Sequence, residues 1–135
     1  IYSGSINGFF SNIFHKQCND KGPTICVISS NYGSIFGGYT SKCWLKNYKY
    51  QTDSNAFLYK LKPNDIEIFK PTKWEIIGKR AIFSNPNHMC NYDHDLIIKD
   101  QCNTIRNSYS KPCSYNISKS SHLVGGYGTD KQKDF

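Results

Sequence analysis

Apolar residues in this chain fall in short clusters broken by Gly, Pro, Asn and Asp. None approaches the roughly 20 consecutive apolar residues that a membrane-crossing helix needs. TICVISS (24–30), SIFGGYTS (34–41), AFLYKL (56–61), DIEIFK (65–70), KWEII (73–77), RAIFS (80–84) and DLIIKD (95–100) each have the length and β-branched or aromatic content of a strand. Sheets built from such segments bury their apolar faces by stacking on one another. The pattern predicts an α+β, mainly β fold, a two-layer antiparallel β-sandwich with short flanking helices. One helix is expected in FFSNIFHKQC (9–18), where Phe10, Ile13 and Phe14 recur at helical spacing before the stop and turn residues of NDKGP. TICVISS, the turn NYG and SIFGGYTS read as a hairpin.

Between these clusters, KCWLKNYKYQTDSN (42–55) has no clear period and reads as a surface loop. NHMCNYDHD (87–95) reads as a polar loop entering the strand Leu96, Ile97, Ile98, with an Asx-type turn at Asp93 or Asp95. Adjacent Gly37 and Gly38 between Phe36 and Tyr39 suggest a bulge or a close backbone approach inside a sheet. LVGGYG (123–128) reads as a turn, and residues 103–135 as long connections. Neither repeat nor linker is evident, so a single domain over 1–135 is expected.

The net charge of +7 is concentrated, with the stretch 42–80 alone carrying +5. Fifteen Lys, 15 Ile and 13 Asn against two Ala are what an AT-rich coding sequence produces, which weakens the charge as a sign of a polyanion partner. Arg forks read guanine edges and phosphates, and only Arg80 and Arg106 are present, so no nucleic-acid partner is expected. The six Cys are widely spaced without a CxxC, and Cys26 sits in an apolar run, so reduced, buried thiols are expected rather than disulfides.

Chemistry-bearing constellations are sparse. His88, Cys90 and His94 are metal-ligand types in close sequence, but no second ligand pair accompanies them, so they form only a weak metal candidate. No G-x-S-x-G, phosphate-loop or dinucleotide motif is present. The two Glu, Glu67 and Glu75, read as solvent-facing strand residues rather than an acid/base pair. Neither a catalytic set nor a cofactor is expected. The remaining candidate is an interaction surface in 42–50, where Trp44, Tyr48 and Tyr50 alternate with Lys42, Lys46 and Lys49. Aromatic anchors beside cations suit protein interfaces.

Gly22, Pro23, Thr24, then Phe36, Gly37, Gly38, Tyr39, Thr40, Ser41 and Trp44, then Asp53, Asn55, Ala56, Phe57 and Leu58, and later Asp95, Leu96 and Ile98, closely resemble the TLDc domain family in order and spacing. The resemblance covers nearly the whole chain. Asn7 stands where the family usually has Asp, and Asn87 to Tyr92 replace a Gly-rich stretch, so an altered loop is expected there. The family's last alternating strand would begin near Phe135, so the chain is expected to be a fragment short of that strand. The resemblance implies a β-sandwich without accepted catalytic activity, at an organelle surface or elsewhere in the cytoplasm. It also implies a role in oxidative-stress protection and docking on a large assembly, the vacuolar proton pump first. A thiol-based antioxidant, and a component of a cytoskeletal or ciliary assembly, are the alternatives.

Overall fold

Alternation in the hairpin decides how the first sheet lies. In a computed structural model describing residues 1–31, 33–62, 70–105, 107–117 and 123, β1 (Thr24–Ser29) turns Ile25 and Val27 outward, leaving Cys26 and Ile28 on the covered face. Its partner β2 (Ile35–Thr40) runs antiparallel, with Cys26 opposite Gly38 and Val27 opposite Gly37. After β3 (Lys49–Gln51), β4 (Phe57–Lys62) pairs with β2, and β5 (Thr72–Glu75) pairs with β4, giving the antiparallel order β1-β2-β4-β5.

The opposing layer holds two antiparallel ribbons, β3 with β6 (Ile82–Ser84) and β7 (His88–Tyr92) with β8 (Leu96–Lys99). Helices α1 (Gly4–Asn7) and α2 (Ser11–Cys18) complete the expected mainly β, α+β architecture. The core between the layers is built from Phe14, Phe36, Trp44, Leu58, Trp74, Ile82, Met89, Tyr92, Leu96 and Tyr115. As the helical spacing predicts, α2 buries Phe14, while Phe10 lies just before the helix and is exposed. No side chain at Phe10 caps α2. Instead the Asp100 carboxylate accepts the Ser11 N–H at 2.6 Å, placing negative charge at the helix start. His15, buried on α2, bridges to the carbonyls of Asn85 and His88 at 3.0 Å each and fixes the helix against the entry to β7.

The paired glycines are a close approach on both faces of one strand. Tyr59 reaches across Gly37 on the outer face and donates its hydroxyl to the Cys26 carbonyl at 2.6 Å. On the inner face the Tyr92 ring and Leu58 occupy the space a side chain at 38 would need, both 2.7 Å from an added Cβ. The bulge lies one step away, between Ile35 and Phe36.

Several expectations need correction. Residues 88–92 form a strand rather than an altered polar loop. Met89, Cys90, Asn91 and Tyr92 are all buried, so neither face shows the polar alternation that marks a half-exposed strand. The loop 42–55 contains the short strand β3. Cys26 and Cys90 are joined in a disulfide between the layers, so the six thiols are not all reduced. Spacing could not reveal this, because the pairing depends on β1 lying over β7. Cys18, Cys43, Cys102 and Cys113 are free. Residues 65–69 of the strand candidate DIEIFK, including Glu67, lie outside the described residues, as does LVGGYG apart from the buried Leu123. Among the described residues no helix is long and apolar enough to cross a membrane.

Because Tyr92 is fully buried, a side chain at 38 meets a wall that cannot retreat into solvent. Gly38→Val is expected to cost about 1–3 kcal/mol through overpacking, lowering the urea midpoint at unchanged slope. An unshifted midpoint would show that the layers do not approach so closely there.

Candidate functional site

Two buried carboxylates organise the surface loops. Asp53 follows β3 and is nearly inaccessible. It accepts hydrogen bonds from Thr40 Oγ1, Ser41 N–H and Ser41 Oγ, each at 2.7 Å, and from Asn55 N–H at 3.1 Å. Burial alone would push its pKa up, but these donors outweigh it and hold the carboxyl below its ordinary value. Asp95, at the start of β8, accepts the backbone N–H groups of Cys113, Ser114 and Tyr115 at 2.8, 2.6 and 3.3 Å. Here burial dominates, with Asp93 adding to it against the opposing backbone donors, and the pKa is raised. The expected turn is present at 93–95. The Asp95 carboxylate, however, is engaged by residues 113–115 and makes a long-range anchor rather than an Asx-type cap of that turn. Tyr115 completes the fixation by donating to the Ala81 carbonyl at 2.7 Å.

The Asp53 anchor closes the base of the 42–50 segment. Trp44, expected as an exposed anchor, is instead 1% exposed. Its indole N–H donates to Thr24 Oγ1 at 2.9 Å, and its ring meets Phe14 and Tyr92 edge-on at 5.9 and 5.6 Å. Lys42, Lys46, Tyr48, Lys49 and Tyr50 stay on the surface, with Tyr48 59% and Tyr50 41% exposed. Tyr48 has φ of 52°, a strained conformation for a bulky residue. Cross-strand pairing sets Tyr50 against Phe83, ring centroids 4.5 Å apart, and the Arg80 guanidinium lies 4.5 Å from the Tyr50 ring. Arg80 and Phe83 extend the surface beyond the sequence candidates. Their only signal was the strand-like RAIFS, and its pairing with β3 needs the fold.

The other motif residues divide between turn, core and sheet. Gly22 is a turn at φ 74°, followed by Pro23 and Thr24 at the entry to β1. Phe36, Ala56 and Leu58 are core. Tyr39 stacks on Phe57 at 5.1 Å on the outer sheet face, where the Lys73 ammonium lies 4.5 Å from the Phe57 ring. Exposed Glu75 pairs with Lys73 at 3.0 Å, as a solvent-facing strand residue should.

His88, Cys90 and His94 do not form a common metal site. His88 meets Asn91 at 2.7 Å, Cys90 is bonded to Cys26, and His94 contacts Asp93 at 3.0 Å. Burial pushes the His88 pKa down to about 4. Among the described residues, the fold brings together a different set of metal-type donors, Asp93, His94 and Cys113. Cys113 is 19 residues beyond His94, so nearness in sequence could not reveal it.

Burial raises the Cys18 thiol pKa and takes that of Cys102 up to about 11, while burial and Asp93 raise that of Cys113. These shifts oppose the thiolate character that peroxide chemistry requires.

A sandwich whose buried acids tie down loops beneath an exposed aromatic and cationic surface defines a β-rich scaffold domain. The TLDc domain family model matches residues 1–134, and the chain belongs to that family. Curated relatives include the MTOR-associated protein MEAK7 of Danio rerio, 37% identical over 63 residues, and that of Xenopus laevis, 30% identical over 66 residues. Each match covers 47% of this chain and 14% of the relative. No solved structure matches.

The depressed Asp53 pKa fixes the sign of its pH dependence. Its contribution is fully present above the unfolded value near 3.8 and is lost as pH falls through the lower folded value. Asp53→Asn is expected to cost about 2 kcal/mol near pH 6. Denaturant titrations should show the gap from wild type closing below pH 3.8, whereas a gap independent of pH would contradict the carboxylate anchor.

Proposed function

We infer that this chain is a non-catalytic protein-interaction module that docks through the surface of Lys42, Lys46, Tyr48, Lys49, Tyr50 and Arg80. The carrying observation is that Tyr48 and Tyr50 remain exposed on a segment whose base is fixed by Trp44 and Asp53. A rigid base lowers the entropy lost on docking, and exposed tyrosines with cations supply anchors and steering. No acidic residue occurs between 42 and 51, so the complementary partner surface is acidic.

The vacuolar proton pump is the leading partner on family resemblance, with oxidative-stress protection as the accompanying role. The MTOR-associated name of the relatives offers a second address, an MTOR assembly. The thiol-antioxidant alternative gains no support from Cys18, Cys102 or Cys113, all shifted away from thiolate.

Pull-down of pump subunits from native cells with the 135-residue chain tests the docking surface directly. Tyr48→Ala/Lys49→Glu should lower capture about tenfold or more, as loss of an interface anchor does, with the urea midpoint unchanged. Rising salt should weaken capture by the wild-type chain. Equal capture by both forms would remove this surface from the proposal. Capture of an mTOR or cytoskeletal assembly without pump subunits would remove the pump as partner.

A further inference from the structure

We propose that Asp93, His94 and Cys113 form a binding site for a divalent transition metal, with zinc the best match. Independently of the docking surface, the fold brings one ligand atom from each residue to within 4.8 Å of the other two. Carboxylate oxygen, imidazole nitrogen and thiolate sulfur are all zinc ligands, and three protein donors leave a fourth position for water. Asp93 lies in the turn between β7 and β8 with φ of 52°, and His94 follows it with its side chain about half exposed (48%). Cys113 is exposed on the returning segment. A metal can therefore enter from solvent on the side of His94 and Cys113 while the carboxylate stays in the interior.

Two features set this cluster apart from a chance grouping of polar side chains. The first is its support. Lys111 N–H donates to the His94 carbonyl at 2.9 Å, and Asp95 accepts the Cys113 and Ser114 N–H groups, so both ligand-bearing segments are held before any ion arrives. Ser114 Oγ donates to Asp93 Oδ2 at 2.6 Å and orients the carboxylate as an outer partner does in metal sites.

The second is charge. Asp93 and Asp95 are 2% and 0% exposed, and among the described residues neither forms an ion pair with Lys or Arg. Asp95 has three backbone donors, whereas the neighbours of Asp93 include His94 and Cys113, which are themselves ligand types. A bound dication offsets the cost of burying this charge. Binding expels the Cys113 thiol proton to water, leaving sulfur as thiolate, while neutral His94 donates a ring-nitrogen lone pair. No electron is transferred.

Cobalt(II) and zinc(II), each added alone to the 135-residue chain, provide the test. Cobalt should give one equivalent of a sulfur-to-metal charge-transfer band that zinc removes, a readout needing no variant. The band should vanish in Cys113→Ser and persist in Cys43→Ser, and zinc affinity should fall at least about tenfold in His94→Gln. Failure of the wild-type chain to bind one equivalent of either ion would overturn the proposal. So would a charge-transfer band surviving in Cys113→Ser, since its sulfur would come from another thiol.

Discussion

The seat of the Tyr92 ring against Gly38 is the contact on which the rest of the sandwich depends. A glycine at 38 lets the β7 aromatic approach the backbone of the opposing sheet, and nothing larger fits between them. Once seated, the ring meets Trp44 and Tyr115 edge-on at 5.6 and 6.3 Å, joining the 42–50 segment and the returning 111–117 segment to one buried centre. The disulfide has the same origin. Cys26 pairs across the ladder with Gly38, and Cys90 precedes Tyr92 by two residues on β7, so the approach that seats the ring also brings the sulfurs together.

Around this centre, carboxylates replace regular ladder hydrogen bonds wherever the chain is irregular. Asp53 gathers the end of β2, Asp95 gathers residues 113–115, and Asp100 holds the start of α2. Backbone donors leaving a strand or entering a helix need partners, and an ionised carboxylate accepts several more strongly than a neutral group. Their opposite pKa shifts follow from balance. The donors around Asp53 outweigh its burial, whereas burial outweighs the donors around Asp95.

Much of the fold was legible because local patterns agree with it. Helical spacing around Phe14, the β-branched run and turn of the hairpin and the paired glycines all correspond to α2, β1, β2 and a close approach. β7 escaped because its residues are buried on both faces, leaving His88, Cys90 and Asn91 to read as a polar loop. The candidate surface was legible in its lysines and tyrosines. Trp44 was misplaced because an indole with one polar N–H suits either an interface or a buried site with one acceptor, here Thr24. Cys113 beside His94, and Phe83 beside Tyr50, depend on long-range pairing that no local spacing encodes.

A scaffold of close approaches and carboxylate tethers thus carries an exposed surface proposed to dock. Hydrogen exchange of the chain, free and bound to the assembly it captures from native cells, tests that arrangement most directly. Residues 42–50 and 79–83 should gain protection on binding, while β1 and the outer face of its sheet exchange as in the free chain. Protection centred on Ile25 and Val27, with 42–50 unchanged, would contradict the account and place the interface on the opposite sheet.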